Sequence, residues 1–114
     1  MIRMITTALL ALALPATAQV ADFNNDYPTE ARADYVFGCM AANGQTREVL
    51  SRCSCSVDVI ASILPYDKYV EAETVLSVTQ LRGERTAAFR SSPDAKTAVA
   101  DLRRAQAEAE IRCF

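Results

Sequence analysis

Residues 46–64, TREVLSRCSCSVDVIASIL, decide the fold of this chain. Their apolar side chains recur at the spacing of one helix face, which predicts an amphipathic helix beginning at about Thr46. Proline follows at position 65, and the residue before a proline avoids the helical conformation, so the helix should end at Leu64. Its core-facing stripe is predicted to consist of Leu50, Cys53, Val57, Ile60 and Leu64.

Helical segments are predicted on both sides of this one. An earlier helix should begin at Pro28, because proline is tolerated in a first turn, and should end at Asn43-Gly44, a left-handed stop. A later helix should run from about Asp67 to Arg82, with Gly83 as its cap. A short helical turn is expected over residues 84–90.

The strongest helix-start signal is Ser92-Pro93-Asp94, an N-cap serine followed by proline and an acid. This last helix should reach about Arg112, with alternating charges on its solvated side. Its narrow apolar side is predicted to consist of Ala95, Ala98, Leu102, Ala105, Ala109 and Cys113. No segment of any length has the period of a strand. The predicted fold class is therefore all-α, a small disulfide-stapled bundle of about four helices.

Export is predicted from the N-terminus. Arg3 precedes an apolar run over residues 5–14, and Ala16-Thr17-Ala18 has the small-x-small pattern that signal peptidase reads. We therefore expect residues 1–18 to be a cleaved signal peptide and the protein to be secreted into the periplasm. The apolar run is about ten residues, half of the roughly 20 that a span requires, so no membrane span is expected in the mature chain. Residues 19–27 are polar and acidic, which predicts a flexible lead-in before a helical domain over residues 28–114.

Four cysteines, Cys39, Cys53, Cys55 and Cys113, follow the predicted signal peptide. An even number in a small exported domain predicts two disulfides. If the two helices are antiparallel, Cys39 is displaced along the helix axis by about 4–5 Å from Cys53 and by about 7–8 Å from Cys55. A disulfide needs Cα atoms within about 7 Å, which slightly favours Cys39–Cys53 with Cys55–Cys113. Cys39–Cys55 with Cys53–Cys113 remains open.

The pair Cys53-Ser54-Cys55 also allows a thiol–disulfide active factor, which is one functional alternative. Exchange motifs usually lie at a helix N-terminus, where the thiol pKa is lowered, whereas this pair is predicted to lie within a helix. A structural role is the favoured interpretation.

Composition excludes several functions. The chain contains no histidine, which removes His-based catalytic triads, imidazole metal sites and c-type haem attachment. A formal net charge of −2 does not suit nucleic acid, whose phosphates require a basic surface. No nucleophile has a visible base, so we expect neither enzymatic activity nor a cofactor.

Two candidate sites lie around the proline corner. Tyr66 and Tyr69 could form an exposed patch for a partner protein. Asp67 and Glu71 lie four residues apart, and Asp58 could approach them from the preceding helix. Such oxygen ligands suit calcium or a lanthanide, so a hard-cation binding protein is a further functional alternative.

Three strings in this chain, residues 35–40 (YVFGCM), 53–61 (CSCSVDVIA) and 66–72 (YDKYVEA), resemble a group of small periplasmic proteobacterial proteins of unassigned activity. Some of these are similar to proteins encoded beside quinone-cofactor alcohol dehydrogenases in methylotrophs. The resemblance implies an accessory role in a periplasmic oxidation pathway, with no catalytic residues to transfer. Together with the composition, it predicts a non-enzymatic periplasmic accessory protein that acts through protein contacts.

Overall fold

The computed structural model describes residues 26–81 and 83–114. They form five α-helices, and no strand occurs among them, so the predicted all-α class is confirmed. The helices are α1 (Thr29–Asn43), α2 (Arg47–Ile63), α3 (Tyr66–Thr79), α4 (Glu84–Ser91) and α5 (Pro93–Cys113). There is one helix more than expected, because the segment predicted as a short turn forms the two-turn helix α4. The predicted signal peptide, residues 1–18, lies outside the described residues, as do residues 19–25.

The helix starts follow local signals in the sequence. The Thr46 hydroxyl accepts a hydrogen bond from the Val49 N–H at 3.2 Å, and the Ser92 hydroxyl accepts one from the Ala95 N–H at 3.2 Å. Each satisfies an N–H that has no partner within its own helix. Pro28 was predicted to lie in the first turn of α1, but its ψ of 148° is extended, so it precedes the helix as its N-cap.

The third helix is shorter than predicted, ending at Thr79 instead of Arg82. Its last turn tightens, because the Leu81 N–H bonds to the Val78 carbonyl three residues earlier. Gly83 then takes a φ of +139°, a conformation that favours glycine, and α4 begins at the next residue.

The core lies where α5 packs against α2 and α3. Its buried cluster comprises Ile60, Leu64, Ala72, Ala98, Leu102, Ala105 and Ala109. The predicted apolar side of α5 is buried except for Cys113, which is partly exposed. Leu50 was predicted to face the core but is 38% exposed. Cys55 bonds to Cys113, the last residue of α5. Leu50 lies five residues before Cys55, more than one helical turn past the end of α5, so α5 does not cover it.

Helix α1 is attached differently, since it contributes no buried residue. It packs chiefly on α2, to which it is joined by the Cys39–Cys53 disulfide and by an ion pair of 2.7 Å between Arg32 and Asp58. These two links lie about two helical turns apart on α1. They hold it on the outside of the core formed by α2, α3 and α5.

The segment before α1 is ordered where a flexible lead-in was predicted. Tyr27 is only 4% exposed and donates a hydrogen bond of 2.7 Å to the Leu64 carbonyl. The Asp26 carboxylate accepts one of 2.8 Å from the Tyr66 N–H at the start of α3. The prediction was therefore wrong for these two residues, because the Tyr27 ring is buried at the corner between α2 and α3.

Two disulfides link the helices, Cys39–Cys53 and Cys55–Cys113, with Cα–Cα distances of 5.8 and 5.7 Å. The slightly favoured pairing is thereby confirmed. None of the four cysteines is free. The first bond joins α1 to α2, and the second joins α2 to the C-terminal end of α5.

Candidate functional site

Because α1 packs chiefly on α2, it leaves a groove along each of its sides. One groove, between α1 and α2, is apolar. The other lies between α1 and α3 and is acidic and aromatic. We call these the apolar groove and the acidic cleft.

The apolar groove has a volume of about 500 Å³. Its apolar lining residues are Ala33, Val36, Phe37, Met40, Leu50 and Val57. Phe37 is 76% exposed, so most of its ring lies in solvent. The Arg32–Asp58 ion pair lies at the groove and supplies its charged groups. The sequence did not reveal this groove, because Phe37 lies outside the predicted stripes and the predicted Cys39–Cys53 bond does not define which side chains of α1 stay exposed beside α2.

The acidic cleft has a volume of about 470 Å³ between α1 and α3, with α5 at its base. The residues that give it its character are Asp34, Tyr35, Ser56, Tyr69, Glu73 and Glu110. It continues into a neighbouring groove of about 650 Å³ that shares Asp34, Tyr69 and Glu73 and adds Glu30 and Tyr66. Within the described residues, neither lysine nor arginine lines either part.

The two tyrosines predicted as a partner-binding patch lie at this cleft, and both are half-buried. The ring centroids of Tyr66 and Tyr69 lie 5.1 and 5.2 Å from that of Tyr27. Part of each ring is thus used to cover Tyr27, a contact that contributes to folding. The structure brings Tyr66 and Tyr69 together, as walls of a cleft and not as an outward-facing patch.

Burial controls the protonation of the cleft. It raises the pKa of Glu73, and the Asp34 carboxylate raises it further while the Arg103 guanidinium lowers it. Burial also raises the pKa values of Tyr35 and Tyr69, and the carboxylates of Glu110 and Glu73 respectively add to these shifts. Both phenols therefore stay protonated at neutral pH.

We expect Glu73→Gln to stabilise the protein by an amount that grows as pH rises. A carboxyl group whose folded-state pKa is raised contributes stability that is present below its unfolded pKa, near 4.5, and is lost as pH rises through the folded-state pKa. Glutamine has no proton to lose. The difference in melting temperature, variant minus wild type, should therefore increase between pH 4 and pH 7.

The matched control for this pH series is Glu71→Gln, on the same helix. It removes the ion pair of Glu71 with Lys68, so any effect at neutral pH should have the opposite sign. A difference for Glu73→Gln that is constant over this pH range would contradict the expectation.

The predicted hard-cation cluster is not assembled. Asp58 faces α1, where it pairs with Arg32, and Glu71 pairs with Lys68 on its own helix. Helix α3 leaves α2 at an angle of 111°, which does not bring Asp67 and Glu71 into a group with Asp58. Among the described residues, no group of three or more acids or cysteines could hold a metal ion.

The Cys53-Ser54-Cys55 pair is not joined as a redox couple. Each of its cysteines bonds to a cysteine of another helix, and Cys53 is fully buried. The predicted participation of all four cysteines in two disulfides is confirmed.

No protein-family model, curated protein or solved structure matches this chain. The resemblance noted in the sequence therefore stays a prediction. Over residues 26–81 and 83–114, no single helix has the length and apolar composition of a membrane span; only α2 and α3 together pass that test, and they are bent by 111°.

Proposed function

We propose that this chain is an exported accessory protein of the periplasm that binds another protein and catalyses no reaction. Two disulfides support an oxidising compartment, since such bonds persist there and are rare in the cytosol. The observation that carries the binding role is Phe37, a large aromatic side chain left 76% exposed over an apolar groove. The accessory role in a periplasmic oxidation pathway, implied by the resemblance, remains part of the proposal.

The occupant proposed for the apolar groove is an amphipathic helix of the partner protein. The groove follows α1 from Thr29 to Met40, which is about 17 Å at a rise of about 1.5 Å per residue. That length accommodates about three turns of a helix. Its apolar side chains at i, i+3 or i+4 and i+7 can insert between α1 and α2. Among the described residues that line the groove, Arg32 and Asp58 are the charged ones, so the partner face should be apolar.

The grouping of apolar side chains distinguishes Phe37 from Ile111, a side chain of similar exposure. Ile111 is 80% exposed on α5, but it lines none of the grooves described here. Single exposed apolar side chains are common on protein surfaces, whereas contiguous ones mark interaction sites. Tyr66 and Tyr69, the contact residues predicted from the sequence, already pack against Tyr27.

We expect Phe37→Ser to weaken partner binding by about 30-fold or more. A central aromatic anchor typically contributes about 2 kcal/mol or more to an interface, which corresponds to that factor. The measurement is quantitative capture with the tagged mature protein from periplasmic extract, followed by titration of the captured protein against each variant. Ile111→Ser is the matched control, since it removes an equally exposed apolar side chain elsewhere, and its binding should equal that of wild type.

Two results would contradict the proposal. One is a partner that binds Phe37→Ser as tightly as wild type. The other is a Phe37-dependent dimer of this chain in sedimentation velocity, which would make a second copy the occupant of the groove. Circular dichroism of Phe37→Ser should match wild type, because the side chain is exposed and its loss leaves the core intact.

A further inference from the structure

A groove between α3, α4 and α5 plays no part in the proposed function, and we call it the α4 groove. Its volume is about 360 Å³, which lies within the range of about 300–1,000 Å³ that small-molecule sites occupy. Its apolar lining residues are Val75, Leu76, Ala95, Val99 and Ala100. Leu76 and Val99 are only half-buried, so part of each side chain is free to contact a ligand.

The polar side chains of the α4 groove are Thr79, Arg90 and Lys96. The Thr79 hydroxyl donates a hydrogen bond of 2.7 Å to the Leu76 carbonyl of its own helix. Arg90 comes from the last turn of α4 and Lys96 from the first turn of α5, so two helices bring positive charge to one apolar space. Lys96 gains no stability from its place in α5, because the first turn of a helix disfavours cations.

The sign of these charges sets the α4 groove apart in a protein of formal net charge −2. Carboxylates line the acidic cleft, and the Arg32 guanidinium of the apolar groove is paired with Asp58. A neighbouring groove of about 300 Å³ contains Glu71 and Asp94. In the part of the chain that the structure describes, no acid lines the α4 groove. An anion therefore meets two cations there, whereas in the other grooves it meets carboxylates or a neutral pair.

The length of the α4 groove indicates the size of its ligand. The lining runs from Val75 to Thr79 along α3 and from Ala95 to Ala100 along α5, which is about 6–8 Å at a rise of about 1.5 Å per residue. That distance is little more than one helical turn, too short to hold a partner helix. It suits a short hydrocarbon chain that ends in a charged group.

We infer that the α4 groove binds a small organic anion with an aliphatic chain, such as a medium-chain carboxylate. The acid group lies between Arg90 and Lys96, and the chain covers Leu76 and Val99. Burial of the chain supplies affinity, and the two cations select for negative charge. The α4 groove shares no residue with the apolar groove, so this inference does not depend on the proposed function.

Titration of octanoate into the mature protein at low ionic strength, followed by amide chemical shifts in NMR, tests this inference. We expect saturable binding, with the largest shifts at the residues that line the α4 groove. Octyltrimethylammonium has the same chain and the opposite charge, and it should bind at least about tenfold more weakly. Butanoate should also bind at least about tenfold more weakly, because each methylene removed from water contributes roughly a factor of four to the affinity.

Arg90→Gln and Lys96→Gln should each weaken octanoate binding about threefold, and the double variant about tenfold, because each removes a charge that faces the acid group. Both side chains are exposed, so the core stays intact, and a melting temperature for each variant checks this. Arg85→Gln, on α4 but outside the groove, should change the affinity less than twofold. Phe37→Ser should leave it unchanged, which separates this test from that of the proposed function.

The inference is overturned if octanoate does not bind saturably, or if octyltrimethylammonium binds as tightly. It is also overturned if the double variant Arg90→Gln/Lys96→Gln binds octanoate like wild type. Shifts that cluster around Phe37 in place of the α4 groove would likewise overturn it, since octanoate would then report only an exposed apolar surface.

Discussion

Replacing Cys55 and Cys113 together by alanine is expected to lower the free energy of unfolding by about 4 kcal/mol. The bond joins residues that are 58 positions apart, and closing a loop of that length removes a large conformational entropy from the unfolded chain. A domain of this size has a total stability of about 5–15 kcal/mol, so the loss is a large share of it. Urea unfolding of the double variant and of wild type, followed by circular dichroism, measures the difference.

The second disulfide supplies the comparison. The Cys39–Cys53 loop spans only 14 positions, for which loop entropy alone gives about 3 kcal/mol. Removing it should loosen mainly α1, because α1 contributes no buried residue, although the fully buried Cys53 side chain of α2 is truncated as well. Hydrogen exchange should therefore accelerate mainly in α1 for the Cys39/Cys53 variant, and throughout α2, α3 and α5 for the Cys55/Cys113 variant. A Cys55/Cys113 double variant within about 1 kcal/mol of wild type would contradict this account.

The attachment of α1 connects stability with the two grooves beside it. The apolar groove uses one side of α1, through Phe37, and the acidic cleft uses the other, through Asp34 and Tyr35. Both therefore depend on the position of a helix that contributes no buried residue and reaches the core cluster through the partly buried Tyr35. The Cys39–Cys53 bond and the Arg32–Asp58 pair fix that position, so both links set the geometry of the two grooves.

Helix boundaries were predictable where the determining interaction is local. The Thr46 and Ser92 hydroxyls each bond to an N–H three residues later, and Pro65 separates α2 from α3 through its own ring. The disulfide pairing was also predictable, since the helical rise and an antiparallel arrangement place Cys39 nearer to Cys53 than to Cys55. None of these inferences requires knowing how distant helices pack.

The errors concern residues whose environment is set by distant parts of the chain. Tyr27 follows a polar, acidic stretch, yet it is buried because the corner after α2 provides a carbonyl and two aromatic rings. Leu50 fits the stripe of α2 but lies beyond the end of α5. Asp58 was assigned to a cation site but faces Arg32 of α1. The exposure of Phe37 and the acidic cleft were not predicted for the same reason, since both depend on where α1 lies on α2.

Leu102→Ala is expected to cost about 3–5 kcal/mol, the upper part of the range for such truncations. Leu102 is fully buried, and its neighbours in the core cluster include Ala72, Ala98, Ala105 and Ala109. Alanine side chains have no rotamers with which to fill a vacated space, so the cavity should persist.

The matched control is Ile111→Ala on the same helix, 80% exposed, which should stay within about 0.5 kcal/mol of wild type. Both variants introduce alanine into α5, so the change in helix propensity is similar in the two. A loss of stability seen only for Leu102→Ala therefore reports the loss of its buried side chain. Urea unfolding with both disulfides intact compares the three proteins. Equal stability of Leu102→Ala and Ile111→Ala would contradict the expectation of a persistent cavity. It would show that α2, α3 and α5 move together to fill the space left by the Leu102 side chain.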